Sequence, residues 1–140
     1  MIPLRLVVDT NIVVSAALKP EGLQRTVLLL ELTKPARLYV SLPIFEEYKT
    51  VLARPEFQIR KGLRQHFLQL IKKRARFITS ARQLRVAADP ADNMFLECAD
   101  AARADYLITG NVRDFPRYWK RTKIITSREF LSVVAPHLLA

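Results

Sequence analysis

The chain opens on a short apolar run, Leu4-Arg5-Leu6-Val7-Val8, that ends abruptly in three polar residues, Asp9-Thr10-Asn11. The run is continuous rather than alternating, so residues 4–8 are predicted as a strand buried on both faces. Val13, Val14, Ala16, Ala17 and Leu18 predict a short helix over about 12–18, and Lys19-Pro20-Glu21-Gly22 a turn. The Leu-rich stretch 23–33 predicts a second helix, stopped by Lys34-Pro35 because the residue before a proline is pushed out of the helical region. Residues 37–40 predict a second strand. Ser41 is a predicted N-cap, with Pro43 in the first turn of a helix running to about Ala53. On that helix Ile44, Phe45, Tyr48, Val51 and Leu52 share one arc. Glu47 sits on its flank and Glu46 points nearly opposite, towards solvent, so of the two Glu47 is the one able to look along the core surface into a cleft.

Arg54-Pro55 breaks the chain. Ile59, Leu63, Phe67, Leu70 and Ile71 then share one face of a predicted helix over 57–74, in which Gly62 marks a kink or a division into two pieces. Residues 75–79 read as a short strand and 80–91 as loop. A helix over 93–103 turns Phe95, Cys98, Ala99 and Ala102 inward. Tyr106–Thr109 and Lys123–Thr126 read as strands, the second leading through Ser127, a predicted N-cap, into a helix ending near Val134. Asp100 is assigned to the outer helix face, Asp105 to the start of a strand and Asp89 to loop. Strands alternating with helices predict an α/β sandwich on a mostly parallel sheet of about five strands. No repeat or linker divides it, so 1–140 is expected to be a single domain.

Composition narrows the function. The 3 glycines form neither GxGxxG nor GxxxxGK[ST], which excludes a Gly-rich phosphate loop. The 23 Lys and Arg against 13 Asp and Glu give a net charge of +10, which points to a polyanionic partner, nucleic acid first. Cys98 is the lone cysteine, so no intramolecular disulfide or thiolate metal site is expected. His66 and His137 have no ligand-spaced neighbours, against zinc and against a two-histidine nuclease. Ser15 and Ser41 lack a His–Asp pattern for acyl transfer. Asp9 interrupts the apolar run before a signal-peptide core forms, and no stretch approaches the ~20 residues that span a bilayer, so a cytoplasmic protein with no membrane association is expected.

What remains is a set of acids at the carboxyl ends of predicted strands, where open α/β sheets bind ligands. Asp9 closes the first strand, Glu47 follows the second, Asp92 opens the helix before the fourth, and Asp114 lies just past it. Such carboxylates repel one another unless cations or shared protons intervene, and hard cations such as Mg²⁺ and Mn²⁺ take oxygen ligands. Each acid also has a plain structural reading: Asp9 and Asp92 as helix caps, Glu47 as a solvated helix residue, Asp114 as a turn residue.

The chain resembles the PIN-domain family and, within it, VapC-like toxins of toxin–antitoxin pairs. The resemblance is carried by Val7-Val8-Asp9-Thr10-Asn11, by Ile44-Phe45-Glu46-Glu47-Tyr48 with Val51-Leu52-Ala53-Arg54-Pro55-Glu56-Phe57, by Asp89-Pro90-Ala91-Asp92-Asn93-Met94-Phe95-Leu96, and by Ala104-Asp105-Tyr106-Leu107-Ile108-Thr109-Gly110-Asn111. It implies a three-layer α/β/α sandwich and Mg²⁺- or Mn²⁺-dependent endoribonuclease activity. It also implies a homodimer and a cognate antitoxin covering the acidic cleft. On this reading Asp9, Glu47 and Asp92 hold the metal, completed by Asn111 or Asp114. Asp9, Glu47, Asp92 and Asp114 carry the catalysis, a metal-activated water attacks the phosphodiester, and Asn11 and Thr109 orient the acids or the attacked phosphate. Arg54, Arg64, Arg113 and Arg117 are the candidate contacts to RNA. Asn111 departs from the family pattern, which often has Asp there, and this removes one negative charge from the ligand set. Two other readings stay open: a catalytically weak PIN-like module that binds RNA or protein, and a structure-specific DNA nuclease.

Overall fold

The computed structural model describes residues 3–80, 83–87 and 89–139; positions 81, 82 and 88 of the expected loop lie outside the described residues. The strands are β1 (Arg5–Val8), β2 (Arg37–Val40), β3 (Arg76–Phe77), β4 (Tyr106–Ile108), β5 (Tyr118–Trp119) and β6 (Thr122–Ile125). The helices are α1 (Thr10–Leu18), α2 (Leu23–Glu31), α3 (Leu42–Leu52), α4 (Lys61–Arg74), α5 (Asn93–Ala102) and α6 (Ser127–Val134). The strands form one sheet in the order β3-β2-β1-β4-β6-β5, parallel except for β5, which runs antiparallel to β6.

The sheet grows outward from β1. Its Leu6, Val7 and Val8 are completely buried, as a continuous apolar strand between two parallel neighbours should be. The chain moves from β1 to β2 and β3 on one side, then returns to place β4 on the other. The strand order therefore reverses between β1 and β4, and a crevice opens at their carboxyl ends. The register aligns Val7 with Leu107 and Val8 with Ile108. It continues one step further, because the Asp9 amide donates to the Ile108 carbonyl at 2.9 Å. Asp9 and Thr109 thus emerge side by side at the switch point.

Around this frame the periodic segments bury their apolar arcs. Ser41 caps α3 as expected, its hydroxyl accepting from the Ile44 amide at 3.3 Å. Ile44, Tyr48 and Leu52 of α3 are buried. The Tyr48 hydroxyl donates to the Val8 carbonyl and so ties α3 to the end of β1.

Three local expectations are corrected. The helix expected from residue 57 begins at Lys61: Pro55–Phe57 form a 3₁₀ turn, and Gln58, at φ 51°, turns the chain before the helix can start. Gly62 therefore lies in the first turn of α4, not at a kink. The cap of α6 is Thr126 rather than Ser127, because Thr126 and Glu129 satisfy each other's amides in a capping box. The Ser127 hydroxyl instead bonds the Gln24 side chain. Finally, β5 is an additional strand. Its turn to β6 places Lys120 at φ 53°, where Gly or Asn would ordinarily announce a hairpin.

Candidate active site

The crevice at the switch point is a cleft of about 500 Å³. Its lining includes Asp9, Thr10 and Asn11 after β1, Glu47 and Arg54 of the α3 segment, Asp89 and Asp92 before α5, and Asn111 and Asp114 after β4. Five carboxylates from four segments meet there, with Arg54 the sole cation in the lining among the described residues.

Each acid is held by its own local structure. Asp9 precedes α1 and Asp92 precedes α5, yet neither side chain caps its helix. Asp9 Oδ2 instead accepts from Thr109 Oγ1 at 2.7 Å, and Thr109 Oγ1 accepts from the Asn111 amide at 3.0 Å. Strand register, a hydroxyl and the following turn thus fix one carboxylate. Glu47 accepts a hydrogen bond from the Thr10 hydroxyl, so the residue after Asp9 positions the second acid. Asp92 closes the 3₁₀ turn Pro90–Asp92, capped by Asp89, whose side chain accepts from the Ala91 amide at 3.0 Å. Asn93 steadies the preceding loop, its Oδ1 accepting from the Val86 and Ala87 amides at 3.0 and 2.9 Å.

The electrostatics follow from this crowding. Burial raises the Asp9 carboxyl above its ordinary value, and nearby Glu47 adds to the rise, while hydrogen bonds, first that from Thr109, oppose it. Asp92 is pushed up to about 6, first by burial and then by the charges of Asp9, Asp89, Asp114 and Glu47. The Asn11 Oδ1 is buried and has no hydrogen-bond partner. Among the described residues, no three Asp, Glu, His or Cys side chains close into a finished metal cage. The donors are nevertheless all oxygens, mutually repelling, with an unpartnered amide oxygen beside them. That set fits a hard divalent cation that keeps part of its water shell.

The sequence of residues 5–113 matches the PIN domain family. The chain belongs to that family. Its fold is also similar to a chain in the crystal structure of VapBC2 from Rickettsia felis bound to a DNA fragment from their promoter. That likeness has a TM-score of 0.57 at 16% identity and covers 88% of this chain and 98% of that one. A comparison with curated proteins finds no match.

Within this PIN domain the structure brings Asp9, Glu47, Asp92, Asp114, Asn11 and Asn111 to one cleft, with Thr109 directly behind Asp9. Of the four arginines named from the sequence, Arg54 lines the cleft; Arg64, Arg113 and Arg117 do not. Arg64 lies in α4, with its Nε buried and unpartnered. Arg113 and Arg117 are exposed. Sequence reasoning set Asp89 aside as loop, but it faces the cleft. It also missed Thr10, Tyr48 and Asn93 as positioning residues. Thr10 had one available signal, its place between two candidate site residues; Tyr48 and Asn93 read simply as core and helix start.

Proposed function

We propose that this PIN domain is a metal-dependent endoribonuclease, the toxin of a toxin–antitoxin pair, with the whole chain acting as one domain. The observation that carries the reading is the meeting of Asp9, Glu47, Asp92 and Asp114 at the β1/β4 switch point, with neither Asp9 nor Asp92 used as a cap. Family membership supports it, since PIN domains are generally nucleases that use divalent metal ions. The neighbouring VapBC2 structure supports an antitoxin as protein partner, and the family resemblance a homodimer.

Asp9, Glu47 and Asp92 are the residues to hold Mg²⁺ or Mn²⁺, with Asn111 or Asp114 completing the set. Such an ion supplies an acidified water and screens the phosphate's developing charge. The protein's part is orientation. Thr109 fixes the face that Asp9 presents, and Thr10 does the same for Glu47. Arg54 lines the cleft wall, and its proposed role is to take a phosphate oxygen of the bound strand. Without a cation the five acids repel a phosphodiester, so substrate binding in the cleft and metal binding are linked.

A second reading, a PIN-like module that binds without cutting, has Asn111 in its favour. The decisive experiment is a substrate panel of single-stranded RNA, structured RNA, single-stranded DNA and flap DNA, with Mg²⁺, Mn²⁺ or EDTA. Metal-dependent cutting of RNA is expected. Cutting of flap DNA alone points to the DNA-nuclease reading, and binding of RNA without cutting of any substrate to the module.

A further inference from the structure

The positive charge of this chain is not spread over its surface. Residues 57–88 hold nine Lys and Arg and no Asp or Glu, leaving 14 cations against 13 acids in the other 108 residues. Nearly the whole net charge therefore belongs to one segment, and α4 is its central element. The helix begins just after Arg54 and Phe57, which line the acidic cleft, and at 1.5 Å per residue it extends roughly 21 Å. Its exposed residues include Arg60's neighbour Lys61 at one end and Lys72, Lys73 and Arg74 at the other.

At that far end lies a separate groove of about 900 Å³. Lys34, Arg37, Lys73, Arg74 and Arg76 line it, with no carboxylate in the lining among the described residues. Arg37 and Arg76 are the first residues of β2 and β3, which run parallel to β1 and β4, so the groove sits at the amino-end edge of the sheet and the acidic cleft at the carboxyl-end edge, past β1 and β4. Among the described residues none of these five cations forms an ion pair. Holding five like charges together without counter-charges is unfavourable for the free protein, and a polyanion relieves it. Next to Arg76, Phe77 is 43% exposed, with its ring edge-on to Phe45 at 5.4 Å. Phe77 lies outside the groove's lining, one residue along β3 from it, and a half-exposed aromatic ring that close to a cationic groove suits an unstacked base better than an acidic peptide.

We propose that α4 and the groove at its carboxyl end bind the phosphate backbone of a single-stranded nucleic acid, at a site separate from the acidic cleft. The binding stands without the nuclease reading. If that reading holds, the same track carries the strand that extends beyond the cut.

The test is fluorescence anisotropy with labelled 20-nucleotide RNA and DNA strands and with a 5-nucleotide strand, in EDTA so that no cutting occurs. Four proteins are compared: wild type, Asp9→Asn, Lys73→Gln/Arg74→Gln, and the charge-matched Lys123→Gln/Arg128→Gln, which lies at the other side of the sheet. Circular dichroism confirms folding of each. The expected result is tight binding of the 20-mers by wild type and Asp9→Asn. In Lys73→Gln/Arg74→Gln the expected loss is tenfold or more, with the slope of log K against log salt shallower by about 1.4, from about 0.7 per lost phosphate contact on a single strand. The 5-mer should lose less, and Lys123→Gln/Arg128→Gln should bind as wild type. RNA and DNA arms show whether the sugar matters. Equal losses in both double variants, or none in either, overturn the proposal. So does polyglutamate binding more tightly than the 20-mers through the same two residues, which assigns the groove to an acidic protein.

Discussion

Thr109 Oγ1 donates to Asp9 Oδ2 across the β1/β4 boundary, at 2.7 Å and fully shielded from solvent at the threonine. The bond joins residues 100 positions apart and is a direct product of register, since Val8 pairs with Ile108 and the next residues fall opposite each other. It also fixes the direction in which a largely buried carboxylate presents its other oxygen. Thr109→Val keeps the volume and removes the donor. Mn²⁺ affinity and RNA cleavage are each expected to fall 10–100-fold, the usual effect of losing such an orienting partner, with a stability loss of about 1–3 kcal/mol. Thr109→Ser should recover most of both, which separates lost positioning from lost packing. Calorimetric titration with Mn²⁺ and thermal unfolding measure the two effects.

Asp92 gives the cleft a pH dependence. With its carboxyl raised to about 6, it carries a proton in more acidic solution, and a cation must displace that proton to bind. Mn²⁺ affinity is therefore expected to climb from pH 5 to pH 7 and then level off. Asp92→Asn should bind more weakly and lose most of the climb, leaving the part due to the raised Asp9. Titrations at a series of pH values check this.

Asn111 stands at the exposed edge of the cleft, where its side chain does not cap the turn it begins. Asn111→Asp adds a charge to the acidic set. Mn²⁺ uptake and RNA cleavage are expected to rise about threefold or more, while the metal-free protein unfolds at a lower temperature because one more carboxylate joins the repelling group. Unchanged uptake would place the ligand role on Asp114 instead.

The sequence carried the central strand and most of the site because both depend on short-range rules. A short β-branched apolar run cut off by polar residues reads as a buried strand, Ser41 with Pro43 sets a helix start, and the acids fall near strand ends. Where the expectations departed, tertiary context decided. Gln58 and Lys120 adopt left-handed backbone without being glycine, so the late start of α4 and the β5–β6 hairpin carry no local signature. Thr126 and Ser127 are both capping residues, and Glu129 selects Thr126. Asp89 reads as a loop residue because its approach to Asp92 depends on the turn that its own side chain closes. Arg64 of α4 reads as a cleft contact because a sequence does not say which face of a helix, or which end, reaches which edge of a sheet.

Glu31 makes a separate prediction about stability. It is completely buried on α2, neither carboxylate oxygen has a hydrogen-bond partner, and burial raises it well above the ordinary value of 4.5. A carboxyl raised in the folded state contributes its full stability below the unfolded value and loses it as pH climbs towards the folded one. The wild-type melting temperature should fall from pH 5 to pH 8 partly on this account. Glu31→Leu should flatten that fall and gain about 1–3 kcal/mol at the alkaline end, the range for relieving an unsatisfied buried polar group. Thermal unfolding of both proteins across that range is the check.

The central claim is that the acids around Asp9 make this chain a metal-dependent ribonuclease. Its most direct test is the initial rate of RNA cleavage in Mn²⁺ by wild type and by Asp9→Asn, purified in parallel and shown to be folded. The account predicts cleavage by wild type that EDTA abolishes, and a loss of at least 100-fold in Asp9→Asn. Equal rates from the two proteins would contradict it.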